Sequence, residues 1–279
     1  MIDETLVLSA RALKKWIRNP AAVVPGLVTA IFYIVLFGSS FNPTNLISSG
    51  SGGVPLPPSV IQQSFGGAPN YITYLTAGVI CLILVFNMAF GGIDLVLDRQ
   101  LGFLSTLLTA PIPRAAIFLS GVVQNLVKAM VLALLTFAIA LVIPNGLELP
   151  SGFGVIDFLG VFFAFALLGL GLSSVFTAIA LSLKSIDSLV AIVNFLTLPL
   201  IFMSNALFPS SSFPTWLMDI AGVNPISKAN EAARLLIING NLSSNQVSTF
   251  TGDILYLLGF AAVFGLIGYL AGKKALSAQ

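Results

Sequence analysis

Long apolar runs dominate the chain, and short polar or glycine- and proline-rich segments separate them. A helix needs about 20 predominantly apolar residues to cross the hydrocarbon core of a bilayer. Six runs have this length, and their apolar residues are continuous, unlike the alternating pattern of membrane β-barrel strands. The predicted spans are approximately Ala21–Phe41, Tyr71–Leu97, Ala116–Ile143, Val155–Leu183, Ser188–Phe208 and Asp253–Ala271. The pattern therefore predicts an all-α membrane protein with six transmembrane helices.

Composition supports this interpretation and excludes several classes of protein. Of the 279 residues, 57% are hydrophobic and 8% are charged, whereas a soluble domain carries about 25% charged residues. A net charge of +2 is too small for a nucleic-acid-binding surface. The chain has no His, one Cys and no P-loop motif. We therefore expect no catalytic residues, no metal site and no cofactor, and any ATP must be bound by a partner.

The distribution of Lys and Arg predicts the orientation in the membrane. An even number of spans puts both ends on one side, and basic residues concentrate on the cytoplasmic side. With both ends in the cytoplasm, nine of the 12 basic residues lie on cytoplasmic segments and only Lys228 and Arg234 lie outside. Lys128 lies within a span. We expect a multi-pass protein of the plasma membrane with both termini in the cytoplasm.

Residues 1–19 form a predicted amphipathic helix that lies on the membrane surface. Leu6, Ala10, Leu13 and Ile17 share one helical face, and four basic residues share another. A basic face opposite an apolar face is typical of interfacial helices. Two roles fit this helix: it anchors the protein, or it acts as a lever that touches a cytoplasmic partner.

The cytoplasmic loop of residues 98–114, between spans 2 and 3, contains a second amphipathic segment. Leu101, Leu104 and Leu108 recur at helical spacing, and Pro111 ends the segment. The apolar face of a helix outside the bilayer must be shielded from water. Either lipid or a groove in a soluble partner shields it.

This loop resembles the coupling helix of ABC type-2 exporter permeases. Members of that family typically show an acidic–basic pair, a Gly, a run like L-x-x-L-L and then P-x-x-R. The corresponding residues here are Asp98, Arg99, Gly102, Leu104, Leu107, Leu108, Pro111 and Arg114. Where members often carry Thr-Leu-Glu, this chain has Phe103-Leu104-Ser105. The resemblance implies that these residues couple the permease to a separate ATPase subunit.

The segment of residues 209–240, before the last span, resembles the same family. It is apolar but interrupted by prolines, and it is too short to cross the membrane twice, so we expect an external re-entrant hairpin. Family members carry similar S-x-x-x-F/L-P, P-x-W and N-P elements in external helices that close the path. The matching residues are Ser204, Phe208, Pro209, Pro214, Trp216, Asn224 and Pro225. The resemblance covers the whole chain, with an interfacial helix in residues 1–19 and a transmembrane domain in residues 20–279.

Polar residues within the predicted spans form a further set of candidates. A charge inside the membrane usually faces protein or water. Lys128 either points into the bundle, toward Asp94 or a cavity, or extends to the lipid side. The other candidates, for a substrate path, are Asn87, Asn194, Thr197 and Asn205. These side chains either line a path or bond neighbouring helices.

The family resemblance implies the membrane subunit of an ATP-driven exporter. Two permease subunits, identical or related, enclose a path in the lipid bilayer, and two separate ATPase subunits bind ATP beneath them. The absence of charge-lined spans favours a hydrophobic or amphipathic substrate, such as a drug, a lipid or a lipid-linked glycan. The alternative is an ATP-independent secondary transporter or channel, a class that often shows internal repeats.

Overall fold

The computed structural model describes residues 2–40, 65–109, 112–143, 146–210 and 213–277. All regular structure in these ranges is helical, which confirms the predicted all-α class. The helices of this part of the chain are α1 (Ile2–Ile17), α2 (Pro20–Ser40), α3 (Tyr71–Phe90), α4 (Ile93–Gln100), α5 (Phe103–Thr109), α6 (Arg114–Val142), α7 (Val155–Ser182), α8 (Ile186–Phe202), α9 (Thr215–Val223), α10 (Pro225–Asn239) and α11 (Ser244–Ser277).

Among the described residues, four helical segments are long and apolar enough to cross a bilayer. They are Tyr71–Gln100, Arg114–Val142, Val155–Ser182 and Ser244–Ser277, and they coincide with predicted spans 2, 3, 4 and 6. Predicted spans 1 and 5 coincide with the shorter apolar helices Val23–Leu36 and Ile186–Phe202.

The fifth predicted span is shorter than the sequence pattern indicates. Helix α8 ends at Phe202 after 17 residues and does not extend to Phe208. At 1.5 Å per residue it is about 25 Å long, somewhat less than the roughly 30 Å hydrocarbon core. Pro199 has no amide hydrogen to donate within the helix. Beyond Phe202 the chain turns, and the Asn224 side chain donates hydrogen bonds to carbonyls at the end of α8.

The second predicted span is interrupted where α3 meets α4. Gly91 ends α3 by donating its amide hydrogen to the Asn87 carbonyl, and α4 begins at Ile93. Asp94 therefore belongs to the first turn of a separate short helix. The apolar pattern conceals this break because apolar residues lie on both sides of it.

Helix α7 occupies the centre of the bundle and packs against α3, α6, α10 and α11. Its side chains Phe165 and Leu168 are fully buried. The C-terminal end of α7 lies beside α4, and its N-terminal half contacts α10, so α7 connects the two ends of the molecule.

The predicted amphipathic helix at the start of the chain is confirmed as α1, which packs against α6. Its polar residues Thr5 and Ser9 are buried against the bundle, and the Ser9 hydroxyl lies 3.4 Å from the Ser120 carbonyl. Leu6 and Ile17 are 57% and 69% exposed. The apolar face thus points away from the bundle, the orientation that an interfacial helix requires.

Candidate functional site

The loop that resembles a coupling helix makes a sharp turn between α4 and α5. Gly102 has a φ of 77°, a left-handed conformation that residues with a Cβ atom disfavour. Leu101, at the same turn, is 78% exposed. The predicted amphipathic helix follows as α5, residues Phe103–Thr109. The turn therefore presents Leu101 at the surface and starts α5 in a new direction.

Arg99 anchors this loop to the bundle. Its guanidinium donates hydrogen bonds to the carbonyls of Leu181 and Leu183, at 3.2 and 2.8 Å. The Gln100 side chain donates a third bond, to the Lys184 carbonyl at 3.2 Å. The last carbonyls of a helix have no partners within it. Arg99 and Gln100 supply those partners, so the loop and the end of α7 are held together.

Two leucines of the loop turn inward. Leu104 is 3% exposed and belongs to the hydrophobic core, and Leu107 packs against that core. The chain itself buries these two side chains, whereas Leu101 stays exposed. Asp98 is partly exposed and Arg114 is exposed. The side chain of Leu108 and the whole of Pro111 lie outside the described residues.

The amphipathic helix α1 contacts both this loop and the start of α4. The Arg11 guanidinium lies 3.7 Å from the centre of the Phe103 ring on α5. The Lys15 ammonium lies 3.9 Å from a carboxylate oxygen of Asp94 on α4. Sequence reasoning missed Phe103 as a contact residue. The available signal was its aromatic side chain, at the position where the chain departs from the family pattern.

Lys128 points into the bundle, as one of the two sequence interpretations predicts. Its ammonium lies 2.7 Å from a carboxylate oxygen of Asp94, and its side chain is 8% exposed. The interruption between α3 and α4 places Asp94 within reach. Asp94 thus faces two ammonium groups, Lys128 and Lys15.

This ion pair lies at one end of a cleft of about 620 Å³ between α1, α2, α3 and α6. The walls are mainly aromatic or apolar, and Asn87 contributes an amide. The lining residues are Trp16, Pro25, Gly26, Thr29, Tyr33, Ile83, Phe86, Asn87, Phe90, Gly91, Ile93, Asp94 and Lys128. Its volume is in the range of small-molecule sites, about 300–1,000 Å³.

The other path candidates lie elsewhere. Asn194 is partly exposed on α8, and Thr197 on the same helix is fully buried. Asn205 lies in a separate polar cluster. The structure therefore brings only Asn87 of these four residues to the cleft.

The separate cluster surrounds Arg234, on α10. Its guanidinium donates hydrogen bonds to the carbonyls of Tyr74, Asn205 and Ala206, at 3.1, 2.8 and 2.8 Å. It also lies 3.7 Å from the centre of the Tyr74 ring. Gly78 makes this packing feasible, because a Cβ atom there would lie 1.7 Å from the Ala206 carbonyl oxygen. Arg234 thus binds α10 to α3 and to the turn after α8.

Ion pairs extend this cluster. Glu231 accepts a hydrogen bond from the Asn205 amide at 3.0 Å and another from Lys228 at 3.0 Å. Lys228 also lies 3.2 Å from Asp253 on α11. The sequence spacing of Lys228 and Glu231 predicted their pairing, but the contact with Asp253 depends on the fold.

Burial and charge act in opposite directions on the two cations of α10. Burial lowers the pKa of Arg234, and Tyr74 and Glu231 oppose that shift. Burial also disfavours the charged form of Lys228, but Glu231 and Asp253 outweigh it, so the pKa of Lys228 is raised. Lys228 therefore remains a cation at neutral pH.

The residues that resemble an external gate occupy the approach to α10. Asn224 accepts a hydrogen bond from the Ile226 amide at 2.9 Å, and its amide group donates to the Leu200 and Met203 carbonyls, at 2.7 and 3.1 Å. Pro225 is the first residue of α10. Of the others, Pro209 lines a small cavity beside Arg234, Pro214 precedes α9, and Trp216 is 59% exposed.

Comparison with known proteins supports this architecture. The sequence model of the ABC-2 type transporter family matches residues 3–238. A transport permease, ycf38, of Cyanophora paradoxa is 28% identical over 282 residues, which cover 99% of this chain and 89% of that protein. The doxorubicin resistance ABC transporter permease protein DrrC of Mycobacterium tuberculosis is 24% identical, over 96% of this chain and 88% of DrrC.

A third relative covers less of the chain. The daunorubicin resistance ABC transporter permease protein DrrB1 of Streptomyces coeruleorubidus is 25% identical over 179 residues, 62% of each protein. Because the family model extends over most of the sequence, the chain belongs to the ABC-2 type transporter family.

Proposed function

We propose that the chain is the transmembrane permease subunit of an ATP-driven ABC exporter. It moves a hydrophobic or amphipathic substrate out of the cytoplasm, and a separate ATPase subunit supplies the energy. Family membership and the resistance permeases among its relatives support this proposal. The chain itself performs no chemical step and works by a shift between inward-open and outward-open states.

In this proposal two permease subunits, identical or related, form the path in the plasma membrane. Each has six spans, with α2 and α8 as the first and fifth, and both termini lie in the cytoplasm. The distribution of basic residues supports this orientation. Residues 209–240, with α9 and α10, form the external gate.

The contact between Arg11 and Phe103 is the observation on which the coupling mechanism rests. It joins α1 to α5, and Lys15 joins α1 to α4. Arg99 joins the same loop to the end of α7. A displacement of this loop by an ATPase subunit is therefore passed both to the surface helix and to the central helix of the bundle.

Reconstitution of the permease with its ATPase tests the proposal. We expect the two proteins to purify together and to drive ATP-dependent uptake of doxorubicin or a fluorescent lipid into inside-out vesicles. Replacing the exposed Leu101 with Asp should weaken that association. Ile156→Asp is the matched control, because Ile156 is 85% exposed at the opposite end of the bundle. Transport by the permease alone, without an ATPase, would support the rival secondary transporter.

A further inference from the structure

Asp94 lies between lysines from two different helices. Its carboxylate oxygen Oδ2 accepts a hydrogen bond from Lys128 of α6 at 2.7 Å, and its other oxygen, Oδ1, lies 3.9 Å from the Lys15 ammonium of α1. The first distance is that of a charge-assisted hydrogen bond, whereas the second is that of an ion pair without a hydrogen bond. A movement of α1 by about 1 Å toward α4 would bring Lys15 to hydrogen-bond distance.

Lys128 needs another partner if it is to leave Asp94. Its side chain is 8% exposed, and a buried charge without a partner is strongly unfavourable. Asp94, whose side chain is 40% exposed, can by contrast be solvated or can bind Lys15. An exchange of partners at Asp94 is therefore feasible only if acceptors for the Lys128 ammonium lie nearby inside the bundle.

Two such acceptors lie on the same face of α6. Gln124 and Asn125 precede Lys128 by one helical turn and are 4% and 0% exposed. Their side-chain oxygens Oε1 and Oδ1 have no hydrogen-bond partner among the described residues. Side chains at these spacings are neighbours on a helix, and long side chains lean toward its N-terminal end. A change of side-chain rotamer therefore brings the Lys128 ammonium to these oxygens.

The Asn125 oxygen lies at the interruption between α3 and α4. A Cβ atom on Gly91 would be 2.5 Å from Asn125 Oδ1, and Asp94 follows Gly91 by three residues. The Asn125 amide nitrogen is directed elsewhere, to the Thr177 hydroxyl at 3.5 Å. A buried acceptor without a partner is costly. A second state in which Lys128 donates to this oxygen would offset that cost.

We propose that Asp94 exchanges its lysine partner between two states of the protein. In the state that the structure describes, Lys128 donates its hydrogen bond to Asp94. In the second state Lys15 donates to Asp94, and the Lys128 ammonium donates to the side-chain oxygens of Asn125 and Gln124. Lys128 has acceptors in both arrangements, so the protein can pass between them without an unpaired buried charge.

The coupling loop can select between these states. Helix α1 carries Lys15 and also contacts α5 through Arg11 and Phe103, and Asp94 lies on α4, which leads into the loop. A displacement of the loop therefore changes the distance between Lys15 and Asp94, and with it the relative stability of the two states. Control of the exchange by an ATPase rests on the proposed exporter function, whereas the exchange itself does not.

Competitive acylation of Lys15 in the full chain measures which lysine binds Asp94. An amine is acylated in its uncharged form, and a carboxylate partner favours the charged form. A hydrogen bond from Lys15 to Asp94 should therefore slow the labelling of Lys15 by acetic anhydride. Lys14, an exposed residue of the same helix, is the internal reference, and fragment-ion mass spectrometry distinguishes the two adjacent residues.

Substitutions of Asn125 should shift the exchange in opposite directions. Asn125→Asp gives Lys128 a carboxylate acceptor and releases Asp94 to Lys15, so the ratio of Lys15 to Lys14 labelling should fall several-fold. Asn125→Leu removes the acceptor and should raise the ratio. In a Lys128→Gln background the difference between the two Asn125 variants should disappear, because the ammonium that changes partners is absent.

Changes in the same direction for both Asn125 variants, or a difference that persists without Lys128, would overturn the exchange. Gln124→Leu removes the other acceptor and should raise the labelling ratio as Asn125→Leu does, which provides a second test if Asn125→Leu fails to fold.

The complex with the ATPase tests control of the exchange separately. A non-hydrolysable ATP analogue should change the labelling ratio of the wild type and leave that of Asn125→Leu unchanged. Opposite shifts for the two Asn125 variants, without any response to the nucleotide, would support the exchange and reject its control by the ATPase. Failure of the complex to form would reject the exporter function alone, because the Asn125 variants of the permease by itself still decide the exchange.

Discussion

The guanidinium of Arg11 lies 3.7 Å from the centre of the Phe103 ring and connects the surface helix α1 with the loop helix α5. A cation above an aromatic face contributes about 0.5–1 kcal/mol at an exposed site. That energy is small relative to the stability of the bundle. It is large enough, however, to decide whether two helices move together.

Removal of this contact should impair coupling more than stability. We expect Phe103→Leu or Arg11→Gln to lower substrate-stimulated ATP turnover of the reconstituted complex by about two- to fivefold, the factor that corresponds to 0.5–1 kcal/mol. The thermal unfolding midpoint should change little. Arg18→Gln is the control, because Arg18 is an exposed basic residue at the end of the same helix. A larger effect of Arg18→Gln would show that α1 acts through its net charge.

Arg99 should behave as an anchor of the loop. Arg99→Gln removes the guanidinium hydrogen bonds to the Leu181 and Leu183 carbonyls, and an intramolecular hydrogen bond contributes about 0.5–1.5 kcal/mol. We expect a lower unfolding midpoint in detergent, together with a loss of coupling. Arg114→Gln, at an exposed position, should leave the midpoint unchanged. An unchanged midpoint for Arg99→Gln combined with loss of ATPase binding would assign Arg99 to the partner surface instead.

Hydrophobic length and charge patterns were sufficient to predict the all-α class and the positions of four long apolar helices. They were also sufficient to predict the helices α1 and α5, because apolar residues recur at helical spacing in each of these segments. The break at Gly91–Gly92 was not predictable, because apolar residues continue on both sides. The carbonyls at the end of α8 are bonded by Asn224, which is more than 20 residues away in sequence, so no local pattern indicates where α8 ends.

The candidate site was predictable where local chemistry identifies it. Lys128 stood out as a charge within an apolar run, and Asp94 as an acidic residue inside the preceding predicted span. The inward direction of Leu104 was not predictable, since amphipathic spacing gives a helix face but not the surface that covers it. The three carbonyls around Arg234 come from two segments that are distant in sequence. No local sequence pattern therefore predicts these hydrogen bonds.

Gly78 should tolerate no side chain. A Cβ atom at this position would lie 1.7 Å from the Ala206 carbonyl oxygen, so α3 must separate from the turn after α8. Overpacking of this kind costs about 1–3 kcal/mol or more. We expect Gly78→Ala to lower the unfolding midpoint markedly. Gly265→Ala should be neutral or slightly stabilising, because no atom lies within 4 Å of a Cβ atom there. Equal effects of both variants would contradict the close approach.

Arg234 should not be replaceable by Lys. Lys has a single ammonium, whereas the guanidinium of Arg234 reaches three carbonyls from separate nitrogen atoms. We expect Arg234→Lys to lower the unfolding midpoint and to increase proteolysis of residues 209–240 in oriented vesicles. Lys228→Arg retains the charge beside Glu231 and Asp253 and serves as the comparison. Resistance to protease equal to that of the wild type would show that Arg234 does not hold residues 209–240 in place.

Asn224 has two roles that substitutions can separate. Its side-chain oxygen accepts the Ile226 amide hydrogen at the start of α10, and its nitrogen donates to two carbonyls at the end of α8. Ser and Asp preserve the first role, because both are good N-cap residues. Neither preserves the second, and Asp also places a negative charge beside the two carbonyl oxygens.

The expected order of stability for this position is therefore wild type, then Asn224→Ser, then Asn224→Asp. Asn224→Ala loses the cap, which contributes about 0.5–2 kcal/mol, as well as the bonds to α8. It should therefore resemble Asn224→Asp only if the repulsion that Asp introduces costs about as much as the cap. Thermal unfolding in a single detergent measures all three variants against the wild type. If Asn224→Asp were as stable as the wild type, the cap alone would explain Asn224, and the early end of α8 would have to follow from Pro199.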